Sequence, residues 1–212
     1  MFEFERKGLV NDLLKGGYIK SDKVKKAFLE VPREEFLSNS LKTRAYVDTP
    51  LEIGYGQTIS APHMIAIMCE ALDLKKGQKV LEIGAGSGYH AAIVAHIVGE
   101  KGQVYTIERF ENLAQIAQQN LKRTGFTNTT VEIGDGSEGL KKYEPYDRIY
   151  VTCAAPQVPK ALVDQLKDTG KLLIPVGKMF CELKLIEKED EKISSKNLGG
   201  CVFVPLVGKY GH

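Results

Sequence analysis

The sequence predicts an α/β fold: a mostly parallel, doubly wound sheet with an antiparallel C-terminal edge and a helical N-terminal extension. Three observations carry this prediction. Strand-like and helix-like runs alternate from Lys79 onward, the first 75 residues are mainly of helical period, and two strand-like runs close the chain with only a polar turn between them. Taken in order, Phe4 to Leu14 and Val24 to Phe36 place apolar residues at helical spacing, with Ser21-Asp22 as a cap before the second. An apolar helix-like run covers Met64 to Leu74. Val80 to Ile83 is a strand, Tyr89 to Val98 a helix rich in Ala, Ile and Val, and Gln103 to Ile107 a strand. Asn112 to Arg123 is a helix and Thr130 to Ile133 a strand; Arg148 to Thr152 and Lys171 to Val176 are strands flanking a helix near Pro159 to Leu166. Such β-α-β repetition buries a parallel sheet between helices. Cys181 to Glu187 and Gly200 to Val207 are strand-like, and Glu187 to Lys192 has the mixed charges of a solvated turn, which predicts an edge hairpin.

At 212 residues and 43% apolar the chain is long enough to bury a core as one domain. Its parts are residues 1–75, helical; 76–178, the sheet core; and 179–212, the C-terminal hairpin. With 29 basic and 27 acidic residues the net charge is +2, and no basic stripe points to a nucleic-acid partner. No apolar run approaches the length of about 20 residues that spans a bilayer. The start, Met1 to Arg6, has charges where a secretory leader needs apolar residues, so a cytoplasmic protein without a membrane partner is expected. Cys69, Cys153, Cys181 and Cys201 lack the spacing of a zinc site, and no metal is expected. They read as small buried thiols, with Cys181 and Cys201 facing each other only if the hairpin brings them together.

Strand Val80–Ile83 runs directly into Gly84-Ala85-Gly86-Ser87-Gly88 and then a helix. Glycines there allow a sharp turn and a close ligand approach. Glu108, at the end of the next strand and twenty residues past Gly88, stands where an acid accepts hydrogen bonds from the ribose hydroxyls of a nucleoside cofactor. The third glycine comes one position too early for a dinucleotide fingerprint. Glu82, two residues before the first glycine, disfavours a phosphate and suits a cationic ligand. S-adenosylmethionine, with an ammonium, a sulfonium and no phosphate, is therefore the expected cofactor rather than NAD. Gly134-Asp135-Gly136 after the third strand is either a generic Asp-Gly turn or an acceptor for the adenine amine.

The most specific segment is Thr58-Ile59-Ser60-Ala61-Pro62-His63-Met64, between a Gly-Tyr-Gly-Gln turn and the apolar run. Together with Leu81 to Gly88, Gly134-Asp135-Gly136, Pro145-Tyr146-Asp147, Ala154-Ala155-Pro156, Pro159 to Leu166, Leu173 to Gly177 and Phe203 to Leu206, it resembles the protein-L-isoaspartate O-methyltransferase family. Val31 to Phe36 resembles that family's N-terminal helical region. The resemblance implies a Rossmann-like class I S-adenosylmethionine-dependent methyltransferase fold. It also implies methyl transfer to the free α-carboxylate of L-isoaspartyl residues in damaged proteins and peptides, with S-adenosylhomocysteine as product and repair through a succinimide as purpose. Nucleic-acid amino methyltransferases carry an Asn/Asp-Pro-Pro-aromatic motif after the fourth strand, where this chain reads Val151 to Pro156 without it.

A carboxylate nucleophile with a pKa of about 4 needs no general base, and no Ser-His-Asp or Cys-His pairing is evident. The resemblance makes Ser60 the catalytic residue, orienting the carboxylate; spacing alone reads Ser60 first as a helix N-cap with Pro62 in the first turn. It places Ile59, His63, Glu82, Gly84, Gly86, Ser87, Glu108, Arg109, Asp135 and Gly136 at the cofactor. Thr58, Ala61 and Val204 are assigned to the substrate. His63 as a bare residue is a first-turn surface histidine. The Val202 to Val207 strand either pairs with an extended peptide or is ordinary sheet core.

Overall fold

A computed structural model describes residues 2–178 and 180–212. Helices α1 (Glu3–Lys15) and α2 (Asp22–Glu30) open the chain, and the Ser21 side chain accepts the Val24 amide as the N-cap of α2. The helix expected to reach Phe36 stops at Glu30. Val31 is extended, φ −87° and ψ 113°, because a residue preceding proline is driven out of the helical region. Arg33–Phe36 and Asn39–Arg44 follow as 3-10 turns.

The next stretch corrects the helical reading of residues 1–75. Strands β1 (Leu51–Gly54) and β2 (Gln57–Ile59) form a hairpin. Tyr55 and Gly56 both have positive φ, 56° and 68°, the geometry whose twist suits a two-residue hairpin turn. Helix α3 (Pro62–Leu72) starts three residues after β2. Then come β3 (Lys79–Ile83), α4 (Tyr89–Val98), β4 (Gln103–Glu108), α5 (Glu111–Arg123), β5 (Thr129–Ile133) and β6 (Tyr146–Val151). Helix α6 (Lys160–Asp164) leads into β7 (Leu166–Gly177), β8 (Cys181–Glu189) and β9 (Lys192–Cys201).

The main sheet has the order β5-β4-β3-β6-β7-β8-β9. The first five strands are parallel, and β8 and β9 run antiparallel to their neighbours. Chain order reverses on either side of β3, and the crevice beyond the carboxyl ends of β3, β4 and β6 is where such a sheet binds ligands. Both faces of the inner strands are buried. Val80, Val104, Tyr150 and Leu173 meet α4 and α3 on one face; Leu81, Ile83, Ile149 and Leu172 meet Leu162 and Leu206 on the other.

The last strand is Lys192–Cys201, where a polar connection was expected, and of the expected Gly200–Val207 strand only Gly200 and Cys201 belong to it. Asp190 and Glu191 make the turn with positive φ, and β9 is exposed along almost all its length, so it has no apolar alternation to betray it. The apolar Val202–Val207 segment instead leaves the sheet edge and crosses to Ala154. There the Ala154 amide donates to the Val204 carbonyl and the Leu206 amide to the Ala154 carbonyl, both at 2.7 Å. Cys181 and Cys201 are direct partners in the β8–β9 register and are both free thiols.

Helix α4, which carries the glycine loop, is tied off at its C-terminal end by Asn128. The Asn128 amide lies 3.2, 3.0 and 3.4 Å from the carbonyls of Ala95, Gly99 and Gly102. Asn128→Ala is expected to cost about 1–2 kcal/mol, read as a lower urea midpoint at unchanged slope.

Candidate functional site

A cleft of about 740 Å³, including its open mouth, lies at the carboxyl ends of β3, β4 and β6. Three separate stretches of chain wall it: Gln57–Ser60 from β2 and its continuation, the loop Gly84–Ser87 with Glu108 and Arg109, and Val204–Val207. Glu82, Ile83, Ile107 and Gly136 also line it, as do Ile65, Tyr89, His90, Thr152 and Cys153, which the sequence did not assign to a site. Thr152 and Cys153 follow β6, so the rule that ligands sit beyond strand carboxyl ends contained the signal for them.

The glycine loop is as tight as the spacing predicts. Gly84 has φ +94°, and a Cβ there would lie 2.4 Å from the Thr152 hydroxyl oxygen. That hydroxyl bonds the carbonyls of Ile83 and Gly84 at 2.9 and 2.8 Å. A Cβ on Gly136 would come within 2.4 Å of Ile83 Cγ2, so the cleft floor accepts only glycine there. Above the loop, Ile53 of the hairpin leaves Gly86 no room for a side chain without a shift: a Cβ would meet its Cδ1 at 3.2 Å. Tyr55 stacks on Phe110 with ring centroids 5.5 Å apart and its hydroxyl accepts from Asn112. The β1–β2 hairpin thus roofs the loop and carries Thr58 and Ile59 to the cleft wall.

Three acids meet this region in three different states. Glu108 accepts the amides of Gly86 at 3.0 Å and Phe110 at 3.1 Å, which fix its carboxylate at the cleft edge. Glu82 is fully buried; Thr106 donates to one oxygen at 2.6 Å, and the other oxygen, like the nearby Tyr150 hydroxyl, has no partner. Burial pushes the Glu82 carboxyl up to about 8, so it is protonated at neutral pH when no cation faces it. This corrects the simple picture of a standing negative charge beside the loop. Asp135 faces away from the cleft lining. Its Oδ1 accepts the Ser137 amide and hydroxyl at 2.8 and 2.7 Å, and its Oδ2 accepts the Lys209 amide at 2.7 Å. Partial burial acts against ionisation, but these donors outweigh it and hold the Asp135 carboxyl below the usual range. Gly136, next to it, does line the cleft.

Ser60 lines the cleft, and among the described residues its hydroxyl has no hydrogen-bond partner. The N-cap of α3 is Ala61, without a side-chain cap bond, so the capping alternative for Ser60 fails. Asp48 does that work from a distance: its Oδ1 accepts the His63 amide at 2.9 Å, while the His63 ring Nδ1 sits 3.0 and 3.1 Å from the two carboxylate oxygens. His63 therefore lies outside the cleft lining, against Asp48 and the Tyr18 ring, and its amide at the start of α3 is taken by the chain's own carboxylate. Ala61 is buried behind the lining. Ile59, Thr58, Ser87, Arg109 and Val204 all reach it.

These features fit an adenosyl cofactor. The glycine cradle admits a close ligand, Glu108 keeps acceptor capacity towards the cleft, and the unpartnered Glu82 oxygen awaits a donor. The sequence model of the protein-L-isoaspartate(D-aspartate) O-methyltransferase family matches residues 4–211. The chain belongs to this family. The protein-L-isoaspartate O-methyltransferase of Methanococcus aeolicus is 55% identical over 203 residues, covering 96% of this chain and 94% of its own. A solved protein-L-isoaspartate O-methyltransferase superimposes with TM-score 0.90 at 36% identity, over 97% of this chain and 67% of that one. A Plasmodium falciparum protein described as a protein-L-isoaspartate O-methyltransferase, solved with S-adenosyl-L-homocysteine, gives TM-score 0.86 at 29% identity over 95% and 98%. The methyltransferase fold expected from the sequence is the fold observed.

The buried acid sets a pH test. Between the ordinary value of 4.5 and about 8 the folded protein holds a Glu82 proton that the unfolded chain has lost, so this group's contribution to stability falls as pH rises. Glu82→Gln keeps the shape and removes the titration. Thermal unfolding from pH 5 to 8 should show the variant gaining on the parent, by up to roughly 1.4 kcal/mol per pH unit.

Proposed function

We propose that the cleft binds S-adenosylmethionine and that the chain uses it to methylate the free α-carboxylate of L-isoaspartyl residues in damaged proteins and peptides, starting their repair through a succinimide. The cofactor supplies an electrophilic methyl on a sulfonium and leaves as S-adenosylhomocysteine. Gly84, Gly86, Ser87 and Gly136 would receive its close-packed parts, Glu108 with Arg109 its ribose end, and Ile59 would pack against it. His63 and Asp135 support the site from outside, by holding α3 and the C-terminal segment.

The observation that carries this reading is the unengaged Ser60 hydroxyl in a cleft with no poised base. Burial drives the His90 imidazole down to about 3, leaving it neutral, and raises the Cys153 thiol far above neutral pH. A substrate that arrives as an anion needs neither; it needs orientation and exclusion of water. Ser60 donates to the carboxylate without protonating it. Thr58 and the edge of Val204 would flank the peptide. Ala154 uses the Val204 carbonyl, and among the described residues the Val204 amide has no backbone partner. An extended substrate bonded there would be read by its backbone, which tolerates many sequences. All three stretches walling the cleft act together, so we take residues 1–212 as one functional unit. No described helix is long and apolar enough to cross a membrane, and the four cysteines are free. A cytoplasmic setting belongs to the same reading.

Labelled methyl transfer to paired peptides, differing only in L-isoaspartyl or L-aspartyl at one position, tests it. Base-labile label on the isoaspartyl peptide alone is expected, and equal labelling of both would refute the substrate assignment. Ser60→Ala should lower kcat roughly 10- to 100-fold, the worth of one hydrogen bond to a charged group, with S-adenosylhomocysteine affinity by calorimetry unchanged.

A further inference from the structure

Behind Ser60 stands a cation that no carboxylate among the described residues contacts directly, Asp48 acting on it only through space. Arg33 is 0% exposed, and its Nη2 donates to the Ser60 carbonyl at 2.9 Å. Its Nε and Nη1 are buried without partners. The guanidinium lies 4.9 Å from the ring centroid of Tyr89, which lines the cleft. The neighbouring acids are engaged elsewhere: Glu34 pairs with Arg6 at 2.9 Å and accepts from Tyr46, and Asp48 holds His63. Burial brings the guanidinium down to about 10, so it stays charged at neutral pH. A buried charge without a counter-ion opposes folding and is lost readily unless something else requires it.

We infer that Arg33 is a positioning residue: it fixes the Ser60 backbone and sets a buried positive charge behind it that draws the anionic carboxylate of the substrate to the Ser60 hydroxyl. This rests on the isoaspartyl reading above. The charge touches neither substrate nor cofactor. It acts through the Ser60 peptide group and through a low-dielectric wall, where a unit charge is little screened by salt. The Glu34–Arg6–Tyr46 cluster keeps the adjacent carboxylate from cancelling it.

The test compares two ligands on the full-length protein saturated with S-adenosylhomocysteine. One peptide carries L-isoaspartyl with a free α-carboxylate; the other is the same peptide with that group as the α-carboxamide. In the parent the carboxylate peptide should bind tighter. Arg33→Met should weaken the carboxylate peptide by roughly ten-fold or more and leave the carboxamide peptide and S-adenosylhomocysteine nearly unchanged. Arg33→Lys, which retains the charge, should restore most of the preference. Equal weakening of both peptides would assign Arg33 a purely structural role, and an unchanged preference in Arg33→Met would overturn the proposal outright. If Arg33→Met does not fold, Arg33→Gln against Arg33→Lys decides, since only the lysine should keep the preference. A parent that does not distinguish the two peptides would refute the substrate reading itself, a different outcome from any of these.

Discussion

Burial of α4 on both sides is the constraint on which the rest depends. Nine of its ten residues are buried, and its sequence, Tyr89 to Val98, has no polar face to turn to water. One side packs on the sheet; the other needs a second layer, which α2 and α3 supply through Val24, Phe28 and Met68. Each such aliphatic or aromatic side chain removed from water contributes about 1.5–3 kcal/mol. The N-terminal extension is therefore part of the core. Because it is pinned to the helix that begins at Tyr89, the segment running from Arg33 through the hairpin to Ser60 is held in register with the glycine loop.

The treatment of charge around that register decides what the cleft can do. Glu108 is held by two amides, Glu82 is buried and protonated, Asp135 is turned outward to hold the C-terminal segment, and Arg33 is buried and charged. The wall beside the glycine loop can become more negative when a cation arrives, whereas the wall behind Ser60 is positive beforehand. A cationic methyl donor suits the first wall and an anionic acceptor the second, so charge alone would sort the two reactants within the cleft.

The parallel core was legible because its strands are buried on both faces and its helices have clear period and glycine punctuation; the edges of α4 were read to the residue. The Ser21 cap was legible because its partner lies three residues on. The hairpin at Leu51–Ile59 was not, since its strands are four and three residues long, too short to show alternation. Strand β9 was missed because an edge exposed along almost its whole length shows no apolar pattern. Among the candidate site residues, Gly84 and Gly86, set by local backbone, line the cleft, whereas Asp135 and His63, each held by a remote partner (Lys209, 74 residues away, and Asp48), lie outside its lining. Arg33 carries no signal of its own in the sequence, because a lone arginine reads as an exposed residue.

The use of a distant cap at α3 explains how the Ser60 segment serves two elements at once. A serine that caps its own helix turns its hydroxyl to the backbone and cannot offer it to a ligand. Here Asp48 takes the His63 amide and Arg33 takes the Ser60 carbonyl, so both backbone obligations at the strand-to-helix junction are met from elsewhere in the N-terminal layer. The hydroxyl is left without a local partner at the cleft wall. The same logic operates across the cleft, where Asp135 and Ala154 anchor the C-terminal segment and leave the Val204 amide open. In both places remote groups satisfy the surrounding backbone and leave the Ser60 hydroxyl and the Val204 amide free. On the proposed reading, a site built this way would recognise a backbone and a carboxylate rather than a particular side chain, which is what a substrate defined by chemical damage, and not by sequence, requires.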